Sequence, residues 1–366
     1  MYLAFCSDVS AFNRDQLRDQ QWSYRFPGSG WITCLYQMAA HFGIAIASGD
    51  VALMNVKSRQ WDAGDVYVIQ DMESIQATQL LKLGAVPFLI TCFEAPLYAP
   101  FFYDKIHRLA TRFKFSFGYG FTKHSGNLSP FRFPSYYLRD IRAVASWHSR
   151  KKLVLVAGNK YKTAKLFIPS RATVKNVLRQ LKWQIWRLLS PAYRQSLKAS
   201  LHDRRLELVT YFANQGKCEL YGSGWGKLDE VPSHWANQLN PILDRCYLGL
   251  CEDKLTTIAG YQFAICFENM SLPGYVTEKI IDCFVAGTIP LYLGAPDIAS
   301  IVPAECFIDL RQFHSPEQLD DYLSSLTEEE ALNMIEAGRA FLLTEAGQLH
   351  SYEGFAQYIL ALAKSC

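Results

Sequence analysis

The sequence predicts an α/β protein of two domains, each built on a parallel sheet. Three observations point there. Short apolar runs of strand length alternate with segments of helical spacing. They do so in two blocks separated by a basic stretch. The chain has 366 residues, more than one core of ~100 to 200 residues usually holds.

In the first block, WITCLYQMAAHFG (residues 31–43) has helical spacing and a glycine stop, and DVYVIQD (65–71) reads as a buried strand. SIQATQLLKLGA (74–85) reads as a helix ended by Gly84, and VPFLIT (86–91) as the next strand. Strand, helix, strand in that order predicts a right-handed crossover and parallel pairing. The second block begins with the strand KLVLVAGN (152–159) and continues with CELYGSGW (218–225), YQFAICFEN (261–269), a helix opening at GYVTEK (274–279), and TIPLYLG (288–294). From Ser315 onward the chain reads as capped helices, with starts at Ser315-Pro316 and at Thr327 before Glu328 to Glu330.

The stretch between the blocks, residues 174–205, has one acid, Asp203, against eight basic residues. Val174, Val177, Leu178, Leu181, Ile185 and Leu188 fall on one helical face, Lys175, Arg179 and Lys182 lie opposite, and Trp183 and Trp186 flank them. Two readings fit: a helix lying on an anionic membrane surface, or an amphipathic helix packed on its own domain with a solvated basic face.

Composition narrows the function classes. Half the residues are hydrophobic and the net charge is +3, which argues against disorder and against a dedicated nucleic-acid binder. The first residues carry too few apolar side chains before Ser7 and Asp8 for a secretory leader, and no ~20-residue apolar run occurs. Ten cysteines are scattered without a CxxC pair, which predicts small core residues in a reduced, cytoplasmic protein. There is no GxGxxG or GxxxxGK loop, which counts against a dinucleotide oxidoreductase, and no DxD triplet. Glu252 and Asp253 read as a solvated turn.

Ligands of open parallel sheets bind at the carboxyl ends of the strands, and GYVTEK follows such an end. Thr277 is placed as N-cap of a helix from Glu278 to Ala286 that stops at Gly287. Glu278 is favoured in the first turn, whereas Lys279 is disfavoured there by roughly 0.3 to 1 kcal/mol. Lys279 therefore either pairs with a neighbouring carboxylate or shares a bound anion, such as a diphosphate, with the helix start. Glu268, Asn269, Asn159 and Tyr275 converge on the same rim, with Gly222, Gly224 and Gly226 loosening the loop after CELY.

The run FENMSLPGYVTEKIIDCFVAGTIPLYLGAP (267–296), followed by FIDLRQF (307–313), closely resembles the donor-binding motif of the α1,3/4-fucosyltransferases, glycosyltransferase family 10, in its bacterial form. Weaker resemblance covers TCFEAPLYAP (91–100), where Ala95 replaces the family's serine, FRFPSYY (131–137), LVLVAGN (153–159) and RRLELVTYF (204–212). The first forty residues match poorly.

The resemblance implies a GT-B fold of two Rossmann-like domains facing a cleft: residues 1–148 for the acceptor, residues 149–345 for GDP-fucose with a basic insertion at about 162–204, and a C-terminal helix, residues 346–366, packing back on the first domain. It implies inverting transfer of L-fucose from GDP-β-L-fucose to the 3- or 4-hydroxyl of N-acetylglucosamine or a similar sugar, on a glycan such as a lipopolysaccharide side chain. Glu94 is implied as general base and Glu278 as a catalytic carboxylate on the sugar. Arg205, with Arg204 as its alternative, and Lys279 would hold the diphosphate. Asn159, Glu268, Asn269, Tyr275, Val276 and Thr277 complete the donor set, with no metal. A neighbouring GDP- or UDP-sugar transferase, or a non-catalytic glycan- or membrane-binding protein on the same scaffold, is the rival reading. The implied location is cytoplasmic, with the basic helix offering peripheral contact with the inner membrane surface.

Overall fold

The computed structural model describes residues 1–365 except 24, 27, 122–125, 142, 144, 159–173, 227, 229 and 230. The chain divides into two compact units, the first made of Met1–Asp140, Pro273–Glu278 and Thr344–Cys366, the second of Ile141–Leu272 and Lys279–Leu343.

The first unit carries a sheet of β1 (Tyr2–Cys6), β2 (Ala45–Ser48), β3 (Val66–Asp71), β4 (Val86–Thr91), β5 (Phe115–Gly118) and β6 (Leu128–Pro130). All neighbours pair in parallel, in the order β2-β1-β3-β4-β5-β6. The strand over 86–91 lies as expected. The helix expected over 31–43 is Gly30–Ala39 followed by a 3-10 turn, and Gly43, at φ 66°, takes the left-handed conformation that ends it. The opening residues YLAFC, weighed in the sequence only against a leader, form a central strand. Leu3, Ala4, Phe5 and Cys6 are buried, as a parallel strand covered on both faces requires.

The C-terminal helix Tyr352–Lys364 belongs to this unit and lies on the helix Gly30–Ala39. Phe355 meets the Trp31 ring edge to face at 5.2 Å. A Cβ at position 30 would stand 2.6 Å from the Tyr352 ring, so this close approach requires Gly30.

The second unit carries β7 (Lys151–Val156), β8 (Cys218–Tyr221), β9 (Tyr261–Phe267), β10 (Ile289–Leu293) and β11 (Ile308–Asp309), parallel throughout in the order β11-β10-β9-β7-β8. Leu153, Leu155, Phe263, Ile265 and Leu291 from the sheet form one core with Leu206, Val209 and Phe212 of the helix His202–Asn214. The helix expected from Glu278 to Ala286 has those bounds, and Gly287 follows at φ 72°.

One boundary differs from the sequence expectation. Residues 273–278, assigned there to the second domain, cluster with the first unit. The Gly120 amide donates to the Pro273 carbonyl (2.9 Å), and Tyr275 packs on Tyr119 with ring centroids 4.7 Å apart. Gly274 sits at φ 68°, where a Cβ would lie 2.6 Å from the Phe121 carbonyl oxygen, so the GYVTEK glycine is fixed by backbone approach. The division therefore falls between Glu278 and Lys279.

Candidate functional site

Strand order locates the crevice in each sheet. In the second unit β7 is followed on one side by β8 and on the other by β9, so the order reverses between β7 and β9, and an open α/β sheet binds ligands at the carboxyl ends there. The FEN residues continue β9 into this position. Glu268 donates its amide to the Leu293 carbonyl (2.9 Å) and its side chain is fully buried. Lys279, one residue into the helix Glu278–Ala286, puts Nζ 3.0 Å from Glu268 Oε2. Of the two fates weighed for Lys279, the structure displays the pairing with a carboxylate. It gives Glu268, expected at the donor nucleotide, the task of neutralising that lysine.

Gly294 makes the arrangement possible, since a Cβ there would come within 2.5 Å of Glu268 Cγ and also meet the Tyr292 hydroxyl. The small residue after TIPLYL thus leaves room for a buried carboxylate.

Asn269 is half-buried and its carbonyl accepts the Leu201 amide (3.2 Å), which joins the end of β9 to the helix His202–Asn214. Arg204 and Arg205, which sequence alignment could not separate, are distinct in space. Arg205 is 2 % exposed, whereas Arg204 is exposed and reaches Glu207 at 3.4 Å. Asn159 lies outside the described residues. Asp253 is exposed as expected, and it caps the helix Lys254–Ala259 by accepting the Thr256 amide (2.6 Å).

A shallow groove at the carboxyl ends of β10 and β11 was not foreseen. Arg204, Leu293, Leu310, Arg311, Phe313 and His314 border it. Arg311 Nε donates to Asp309 Oδ1 (2.9 Å). The FIDLRQF motif runs along this edge, although no residue of it was singled out in the sequence.

In the first unit the order reverses between β1 and β3. Ser7 follows β1, Asp71 ends β3, and the Ser7 hydroxyl donates to Asp71 Oδ2 (3.4 Å). Met72 turns the chain out of the strand at φ 54°, its amide donating to the Thr91 carbonyl (2.8 Å). Glu94, just past β4, has an exposed side chain on a fastened backbone, its carbonyl accepting the Tyr103 hydroxyl (3.1 Å) and the Cys92 thiol. Tyr275, Val276 and Thr277 are buried and Glu278 is half-buried, so the Tyr275 ring is occupied by Tyr119 in this state.

Asp71 was read in the sequence only as the end of a strand. Burial pushes its carboxyl up to about 7, against the Ser7 hydroxyl and the Phe93 amide, and the Glu94 charge adds to the rise. An acid raised in the folded state contributes stability that is complete below its unfolded value near 4 and is lost as pH climbs to about 7. Asp71→Asn removes that slope. Relative to wild type, it is expected to gain up to about 4 kcal/mol in going from pH 4 to pH 8, from three units at ~1.4 kcal/mol each. Urea unfolding at the two pH values measures this, and equal slopes in both proteins would refute it.

The nine described cysteines are free, and all but Cys251 are buried. Among the described residues, no group of three or more His, Cys, Asp or Glu side chains is arranged to hold a metal ion.

Residues 199–334 match the family model of the glycosyltransferase family 10 (fucosyltransferase) C-terminal region. Over 75 residues, 20% of this chain and 16% of the relative, the sequence is 37% identical to the alpha-(1,3)-fucosyltransferase FucT of Helicobacter pylori. Over 77 residues, 20% of this chain and 21% of the relative, it is 34% identical to the mouse (Mus musculus) 4-galactosyl-N-acetylglucosaminide 3-alpha-L-fucosyltransferase 9. The chain thus spans about a fifth of the length of the curated relatives it matches.

Several solved structures align with the whole chain. One is an alpha1,3-fucosyltransferase (15% identity, TM-score 0.53, 89% of that chain covered). Two others are a glycosyltransferase from Rickettsia africae (10%, 0.55, 97%) and Anabaena Alr3699/HepE in complex with UDP and glucose (8%, 0.57, 99%). At these identities the likeness shows the fold, that of the two-sheet GT-B glycosyltransferases. The family-model match over residues 199–334, which contains Arg205, Glu268, Asn269, Glu278 and Lys279, makes that stretch similar to the C-terminal region of the glycosyltransferase family 10 fucosyltransferases.

Proposed function

We propose that the protein is an inverting fucosyltransferase that moves L-fucose from GDP-β-L-fucose to a hydroxyl of a glycan acceptor, the 3- or 4-position of N-acetylglucosamine or a similar sugar. The observation that carries this is the family match over residues 199–334, which includes the strand end and helix start at the crevice of the second sheet. The named activity of the similar enzymes supplies the transferred sugar, fucose.

In this reading the acceptor oxygen forms a bond to the anomeric carbon of fucose. The bond from that carbon to the diphosphate breaks on the opposite face, GDP leaves with the electron pair, and Glu94 takes the acceptor proton. Arg205, Lys279 and the helix start neutralise the diphosphate, arginine by pairing its planar fork with phosphate oxygens. These charges let the reaction run without a metal. Glu278 serves the sugar, by its hydroxyls or by opposing positive charge on the ring, Asn269 orients the nucleotide end, and Tyr275, Val276 and Thr277 pack beside the donor. Asn159 belongs to the same donor set. The acceptor is a cell-surface glycan such as a lipopolysaccharide side chain, and the location is cytoplasmic, at the inner membrane surface.

Purified protein is expected to consume GDP-fucose in the presence of oligosaccharides ending in N-acetylglucosamine, with a product heavier by one deoxyhexose in mass analysis. A protein that neither melts at a higher temperature with GDP-fucose nor consumes it, while another nucleotide sugar does both, would reassign the donor.

A further inference from the structure

We infer that the outward face of the helix Val174–Leu189 is a docking surface for an anionic lipid bilayer. Of the two readings open in the sequence, packing on its own domain requires the apolar stripe to be covered. The structure leaves it bare: Leu178, Leu181, Ile185, Leu188 and Leu189 are 61%, 53%, 52%, 77% and 66% exposed. Their spacing sets all five on one stripe of the helix.

The helix is fastened to its unit by other side chains. Trp183 and Trp186 are half-buried, and Trp186 meets Tyr193 of the helix Pro191–Lys198 edge to face at 5.6 Å. Arg194 ties the two helices further, donating to the Arg187 and Leu188 carbonyls (3.0 Å each). Trp183 lies almost opposite the stripe on the helix circumference, so the polarity is inverted, with the anchoring side inward and the aliphatic side toward solvent.

Charge identifies the occupant. Residues 151–202 contain no Asp or Glu at all. Lys182, Arg187, Arg194 and Lys198 are exposed, and Lys182 projects over the Trp186 ring beside the stripe. An aliphatic row bordered by cations, in a stretch of sequence that itself carries no acid, fits lipid headgroups that are themselves anionic, whereas a second copy of the same basic surface would meet it with like charge. Among the described residues no helix is long and apolar enough to cross a membrane, so the contact is one of lying on the surface.

This inference uses neither the donor nor the acceptor, so it stands or falls separately from the proposed reaction. The test is flotation of the full chain with phosphatidylcholine vesicles, with and without about one third phosphatidylglycerol, at low and high salt. Wild type is expected to float with the anionic vesicles and to be released by salt. The exposed-site variant Leu181→Glu/Ile185→Glu is expected to lose at least about ten-fold in partitioning while keeping its melting temperature. Wild type that stays unbound to anionic vesicles at low salt overturns the inference. So does equal binding to neutral vesicles, or a concentration-dependent dimer abolished by the same double variant in a chain that does not float.

Discussion

Glu94→Gln is expected to lower the rate of fucosyl transfer by roughly 100- to 10,000-fold while leaving the melting shift produced by GDP-fucose unchanged. The size follows from what a positioned base contributes when it removes a hydroxyl proton in the transition state. Glutamine keeps the shape and the hydrogen-bonding reach but cannot accept that proton. Two carboxyl groups stand near the crevice of the first sheet, and their environments separate them. Asp71 is buried and holds its proton up to about pH 7, with Ser7 on one oxygen. Glu94 is exposed, on a backbone pinned through its carbonyl by Tyr103 and Cys92.

Steady-state rates and donor thermal shifts on Glu94→Gln and Asp71→Asn decide between the two carboxyls. A full rate in the first and a collapsed rate in the second would move the base to Asp71. Loss of the donor shift in Glu94→Gln would mean that this residue holds the nucleotide sugar instead.

The sequence and the structure agree most where burial is written as an uninterrupted apolar run. VPFLIT and YQFAICF are central strands covered on both faces, and the helix from Glu278 to Ala286 carries its own start and glycine stop. YLAFC was missed as a strand because five apolar residues at a chain start have no period, and FSFG and LSP are too short and mixed to stand out. Strand order is not local information, so neither point of reversal could be placed, and with it went the significance of Ser7 and Asp71. The grouping of residues 273–278 with the first unit was hidden for a related reason. Helix periodicity continues smoothly through Glu278 and Lys279, while the tertiary contacts that sort them arise from Gly120, Tyr119 and Phe121, more than 150 residues earlier. Arg205 was separable from Arg204 only by burial.

Lys279→Ala is expected to cost about 3–5 kcal/mol of stability and to abolish transfer, and the two losses have different origins. The stability loss is electrostatic. With Lys279 gone, the fully buried Glu268 side chain loses the ammonium that stood 3.0 Å away. Adding Glu268→Gln to Lys279→Ala replaces that buried carboxyl by a neutral amide, so the double variant should recover much of the stability measured by urea unfolding. It should not recover transfer, because the cation proposed to face the diphosphate is still missing. If the double variant regains activity along with stability, Lys279 serves the fold alone and the diphosphate must be held by Arg205 and the helix start. If stability does not move in Lys279→Ala, the ion pair contributes nothing net and the lysine is held in place for the donor. The side-by-side acid and base of GYVTEK then have separable tasks. Lys279 pairs with a carboxylate at the end of β9, and the proposed reaction asks it to exchange that partner for a diphosphate and leaves Glu278 for the sugar.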